Sequence, residues 1–194
     1  MQRGFSLIEV LVAVAVLSLG LLGAVAMQYM ALQDNRSARL QSVAVGLGRE
    51  MAEMMRGNKV VSVQTDMANP YLGRFVATPL RPDNPSYCLA VGQSCSDNEE
   101  IARAQVTEWL ARVESQLPGT QVVICLDDEP YDAKGLPRWA CQEPAADAAN
   151  PVTFIKIGWT HQSTNAAQVG ANRLVAANAA APFVMIPVTP GHDD

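Results

Sequence analysis

The sequence predicts an α+β protein: one long N-terminal α-helix, apolar in its first half, packed on a small antiparallel β-sheet, with a second, shorter helix. Three observations carry this. Residues 10–33 contain no charged side chain. No proline interrupts residues 28–56, where apolar side chains return at helical spacing. The C-terminal half holds three short runs rich in β-branched and aromatic residues, set off by Gly and Pro.

The most apolar part of the first element, residues 10–27, is about long enough as a helix to cross a hydrocarbon core roughly 30 Å thick. Arg3 precedes it, so the positive-inside preference keeps the first residues in the cytoplasm and exports the remainder. Ala13, Ala15, Gly20, Gly23, Ala24 and Ala26 are small enough to let helices approach closely in a membrane or a fibre core. Further on, Leu32, Leu40, Val43, Leu47, Met51 and Met54 mark the apolar stripe of an amphipathic half facing a globular head. A helix from Phe5 to Arg56 is about 75 Å long, and Gly57-Asn58 ends it. Met51, Met54 and Met55 are expected as core filler rather than a soft-metal site, and Glu53 with Arg56 as a solvated ion pair.

Asn69-Pro70, Pro79, Pro82 and Pro85 then punctuate a long irregular connection. Asp97 and Glu100 form a capping box for the second helix, whose stripe of Val106, Trp109, Leu110, Val113 and Leu117 is closed by Pro118-Gly119. The strands fall at residues 121–126, 153–160 and 183–188. In the middle one Ile155, Ile157 and Trp159 alternate with Lys156 and Gly158. Pro182 and Pro187 remove ladder donors and place the last strand at an edge. The alanine-rich residues 172–182 are open between a helical turn and a loop, and residues 191–194 read as a loose tail.

Composition excludes whole classes of function. A net charge of -5 leaves no basic surplus for gripping phosphate backbones, so no nucleic-acid partner is expected. His161 and His192 are the only histidines, and no G-x-S-x-G, P-loop or dinucleotide fingerprint occurs. No catalytic residue and no cofactor is assigned, and the protein is not expected to be an enzyme. Asp127, Asp128, Glu129 and Asp132 miss the EF-hand spacing and read as a solvated acidic loop. Cys88, Cys95, Cys125 and Cys141 all lie in the exported part, where an even count reads as disulfides. Four cysteines permit three pairings. Proximity favours Cys88 with Cys95 and Cys125 with Cys141, the latter worth about 3 kcal/mol by loop entropy. Zinc is the rival, but there is no C-x-x-C and the spacings match no common zinc module, so no metal is expected.

One residue breaks the apolar pattern. A basic start, an apolar run and Ala24-Val25-Ala26 also describe a cleavable signal, which would release a periplasmic binding or redox protein after Ala26. Glu9 stands against that reading. An unpaired carboxylate there costs about 2.5–3.5 kcal/mol on insertion scales, and an ordinary signal gains nothing from it.

The stretch "GFSLIEV" resembles the processing motif of type IV pilins and type II secretion pseudopilins. The resemblance implies a pilin fold and cleavage after Gly4 by a prepilin peptidase, which N-methylates Phe5. It implies further that Glu9 pairs with the Phe5 amine of a neighbouring subunit and so sets assembly register. No proline precedes Pro70, unlike the common major-pilin pattern, which favours a minor subunit. "LSLGLLG" and "EMAEMMRGN" are similar to the PilV group of minor pilins, the type IV pilus modification proteins. On this reading residues 1–4 are a leader, 5–30 the transmembrane or fibre-core half of the helix, 31–58 its amphipathic half and 59–194 the periplasmic or extracellular head. The implied partners are other minor pilins, the major pilin, the prepilin peptidase, the inner-membrane assembly machinery and, before assembly, the lipid bilayer. The protein is then an inner-membrane precursor with its head in the periplasm, later part of an extracellular pilus acting in twitching motility and attachment. A minor pseudopilin of type II secretion is the near alternative. Pilins often hold a C-terminal disulfide loop, but no cysteine follows Cys141, so adhesion by such a loop does not carry over.

Overall fold

The computed structural model describes residues 6–66, 68–144, 152–163, 168, 170, 174–177 and 181–189. The chain forms two compact units, residues 1–39 and 40–194. Helix α1, Leu7–Gly57, contributes residues to both. In the first unit it carries exposed aliphatic side chains along its length, among them Leu7, Leu11, Leu19 and Leu22.

In the second unit the same helix becomes amphipathic. Its buried residues are Ala44, Leu47, Gly48, Met51, Ala52 and Met55, steps of three and four that keep one face inward. The stripe thus sits slightly rotated from the expected one: Val43 and Met54 flank the core instead of entering it, and Leu32, in the first unit, is exposed. Ala44, Gly48 and Ala52 stack at four-residue intervals. A Cβ on Gly48 would lie 2.5 Å from Ile186 Cδ1, so the missing side chain is what lets the sheet come this close. Arg56 and Glu53 pair at 2.5 Å on the exposed side, a contact worth a few tenths of a kcal/mol.

After α1 come a single turn, α2 (Lys59–Ser62), and a short strand, β1 (Gly73–Phe75). Helix α3, Asn98–Gln116, begins at Asp97, whose Oδ1 accepts the Glu100 amide at 2.7 Å. That hydrogen bond is the largest reason the Asp97 carboxyl is held below the ordinary range. Strands β2 (Gln121–Leu126), β3 (Thr153–Gly158) and β6 (Val184–Val188) join β1 in an antiparallel sheet of order β1-β2-β3-β6. β6, with Pro187, is an edge strand. Two more strands, β4 (His161–Gln162) and β5 (Leu174–Val175), pair as a separate ribbon. β5 falls within residues 172–182, and residues 191–194 lie outside the described residues.

Register explains which face is the core. Phe75, Val122, Ile157 and Val184 stand opposite one another across the four strands, and Ile124, Ile155 and Ile186 form the next row. These side chains close on the α1 stripe and on Val106, Trp109, Leu110 and Val113 of α3. Trp109 is fully buried, and its Nε1 donates to the Leu47 carbonyl of α1 at 2.8 Å. Trp109→Phe keeps most of the apolar volume but loses that donor. It is expected to destabilise the second unit by about 1–2 kcal/mol, read as a lower denaturant midpoint with an unchanged slope.

Three sequence expectations need correction. β1 was not foreseen, because three residues in a proline-rich stretch carry no readable period. The middle strand stops at Gly158 rather than at residue 160, since Thr160 N turns away to donate to Pro118 O at 2.8 Å. The last strand begins one residue late, at Val184.

Candidate functional site

Two regions hold residues with chemistry to explain: the N-terminal turn of α1 and the loops closed by cysteines. At the first, Gly4 and Phe5 lie outside the described residues. Glu9 occupies the first turn of α1, its amide bonded to Ser6 O at 3.0 Å, and its side chain is exposed. The unsatisfied amides at a helix start favour a negative charge there by about 0.3–1 kcal/mol. That is smaller than the roughly 2.5–3.5 kcal/mol that a charge costs at the centre of a membrane helix, so a positive partner would stabilise the carboxylate wherever this turn enters an apolar medium. Among the described residues no cation reaches it.

Around Glu9 the surface is apolar on every side: Leu7, Ile8, Val10, Leu11, Val12 and Val14 are each at least half exposed. α1 is long and apolar enough to cross a membrane. A contiguous apolar surface of this extent needs lipid or other helices over it.

The cysteines are bonded Cys88–Cys95 and Cys125–Cys141. The second bridge closes a loop over the outer face of the sheet, where Val123 and Lys156 are buried. Lys156 is fully buried and places its three donors on Asp127 Oδ2, on Arg138 O at 2.9 Å and on Ala140 O at 2.7 Å. Asp127 Oδ1 accepts the amides of Glu129 and Gln142, both at 3.0 Å. Burial works against the charged carboxylate, but Lys156 and the two amides outweigh it and hold Asp127 below the usual range. Trp139 covers Gly158, where a Cβ would lie 2.6 Å from the ring.

This pair corrects the reading of a solvated acidic loop at one position, since Asp128, Glu129 and Asp132 are exposed. Asp127 is interior, Glu129 pairs with Arg138 at 3.1 Å, and Asp132 Oδ1 accepts the amides of Lys134 and Leu136 within its own turn. Cys125, Cys141 and Asp127 bring potential ligand atoms within 4.8 Å of one another. The sulfurs are bonded to each other, so neither is a thiolate able to bind a metal. The sequence signal for the pair was present but weak, a lysine inside an alternating strand and an aspartate just past the strand that pairs with it.

One further buried group stands apart from both regions. Tyr71 is fully buried and donates to Gln105 Oε1 of α3, and burial pushes its hydroxyl up to about 12.

Comparison with known proteins adds one finding at the N-terminus. Residues 1–25 match the family described as the prokaryotic N-terminal methylation motif. Neither the curated proteins nor the solved structures return a match. The matched segment contains Gly4, Phe5 and Glu9 and ends within the apolar half of α1, so the chain carries the N-terminal signature of a type IV pilin-like prepilin.

Proposed function

We propose that this protein is a minor pilin of the PilV group: a structural subunit, anchored in the bacterial inner membrane by α1 until it enters a type IV pilus. There it helps to initiate or cap assembly, with consequences for twitching motility and surface attachment. The observation that carries the reading is Glu9, one carboxylate just ahead of the charge-free run of residues 10–33 and within a segment matching the methylation motif. Cleavage after Gly4 creates a positive amine at Phe5. The Phe5 amine of a second subunit supplies the cation that Glu9 lacks, so the pair forms only when helices stand in register. The proposed partners are other minor pilins and the major pilin, with the prepilin peptidase and the inner-membrane machinery acting beforehand. The proposed parts are a leader of residues 1–4, a membrane or fibre-core helix 5–30, an amphipathic half 31–58 and a head 59–194.

The apolar exposure of the first unit supports a structural subunit rather than a free periplasmic protein, whose signal helix would be discarded. N-terminal sequencing by mass spectrometry of the exported chain decides between them. A methylated Phe5 terminus is expected, and a chain starting at Met27 would falsify the assignment. A role in type II secretion shares this terminus, and co-purification with sheared pili, lost on deletion of the major pilin, separates the two.

A further inference from the structure

The Lys156–Asp127 pair does more than satisfy two buried charges, because of where its remaining hydrogen bonds fall. They bracket Cys141. On one side Lys156 Nζ donates to Ala140 O at 2.7 Å, and on the other Asp127 Oδ1 accepts the Gln142 amide at 3.0 Å. Gln142 is held a second time, its carbonyl accepting the Asp128 amide at 3.0 Å. Cys125, the bonding partner, stands on β2 two residues before Asp127. Both sulfurs and a carboxylate oxygen of Asp127 lie within 4.8 Å of one another. The pair is itself anchored to the sheet: Lys156 sits in β3 opposite Val123, and the Asp127 amide donates to Val152 O at 3.1 Å. Both of its side chains are fully buried. Among the described residues neither Cys88 nor Cys95 bonds to Lys156 or Asp127.

Chain length alone selects this bridge only weakly. It spans 16 positions, and four thiols allow three pairings. Each doubling of loop length lowers the chance of closure by only about threefold, so the competing pairings are not far behind. Hydrogen bonds to charged groups act more strongly, each worth about tenfold or more, and those on either side of Cys141 are made when its sulfur lies over Cys125. Linkage makes the effect reciprocal: whatever factor the bridge lends to the pair, the pair lends to the bridge.

We propose that Lys156 and Asp127 are positioning residues for oxidative folding, holding residues 138–142 over the sheet so that Cys141 meets Cys125 rather than another cysteine. In closure the thiolate of one cysteine attacks a small-molecule disulfide, glutathione disulfide in the test below, and releases one glutathione. The second thiolate then displaces the other. The two cysteines lose two electrons and two protons, and the oxidant leaves as two thiols. This role holds whether or not the chain enters a fibre.

The test equilibrates the full chain in neutral detergent with glutathione redox buffers, traps free thiols by alkylation and maps the bridges on tryptic peptides. Cys88 and Cys95 share one such peptide, whereas Cys125 and Cys141 fall in two. In Lys156→Met the exchange constant of Cys125–Cys141 with glutathione is expected to fall at least about tenfold, a shift of about 30 mV. The constant of Cys88–Cys95 should stay within about twofold, as for an independent site. Trp109→Phe lowers stability without touching the loop and should leave the ratio of the two constants unchanged. Lys156→Met with Asp127→Asn regains part of the stability but not the anchor at Ala140, so its Cys125–Cys141 constant should remain low. The double variant carries the same reading if Lys156→Met alone fails to fold. A parental Cys125–Cys141 constant in Lys156→Met, equal falls of both bridges, a ratio moved as far by Trp109→Phe, or a constant that recovers in step with stability in the double variant each overturns the proposal.

Discussion

Lys156→Met is expected to destabilise the second unit by about 3–5 kcal/mol, one of the two largest effects foreseen. The substitution preserves the aliphatic stem but strands the Asp127 carboxylate in the interior with only two amides to hold it, and leaves the Arg138 and Ala140 carbonyls without their donor. Adding Asp127→Asn should recover part of the loss, because an amide oxygen still accepts from Glu129 and Gln142 while the bare charge is gone.

The pH dependence has a definite sign. Asp127 is depressed in the folded state, so its contribution is fully present above the ordinary carboxylate value of about 3.9 and is lost as pH falls through the lower folded value. In Lys156→Met the carboxylate has no cation and is raised instead, so the gap to the parent should narrow as pH falls toward 4, on the order of the free carboxylate value. Denaturant titration of the full chain in neutral detergent at a series of pH values reads both. A Lys156→Met midpoint equal to that of the parent would show that the pair contributes nothing.

Glu9→Ala is the second large effect, on assembly rather than folding. The substitution leaves Gly4 in place, so cleavage and methylation should proceed. What disappears is the contact that rewards one helix register over others. A polar contact between helices in lipid is worth up to about 1.7 kcal/mol, so incorporation into sheared pili should fall about tenfold or more. Gly4→Leu should act one step earlier and leave uncut precursor in the membrane. Quantitative immunoblots of membrane and sheared fractions distinguish the two. Normal incorporation of the Glu9 variant would remove the reason for placing a carboxylate in that helix.

The features legible in the sequence were those written in short-range pattern. Asp97, three residues before Glu100, marked the start of α3, and Val106, Trp109, Leu110 and Val113 marked its inward face. The alternation of Ile155 and Ile157 marked β3 and its core side. What stayed hidden was anything decided by distant partners. Lys156 sits on the face opposite those isoleucines, and nothing local says that a loop will cover it, because its partners are Asp127 and two carbonyls from residues 138 and 140. The rotation of the α1 stripe toward Ala44, Gly48 and Ala52 was equally hidden. Hydropathy marks large side chains, whereas Ile186 leaves room at Gly48 for none. At the N-terminus, Glu9 was conspicuous because a charge in an uncharged run needs no tertiary information to be noticed.

Both cysteine bridges are local, spanning 7 and 16 positions, and all four cysteines lie outside α1. If traction were applied along the helix, no disulfide would carry it into the sheet. The load would pass through the seat of Ala44, Leu47, Gly48 and Met51 and through the indole of Trp109 gripping Leu47. Mechanical strength in this subunit therefore resides in a greasy joint, and reducing agents should leave its rupture force nearly unchanged while trimming Trp109 should not.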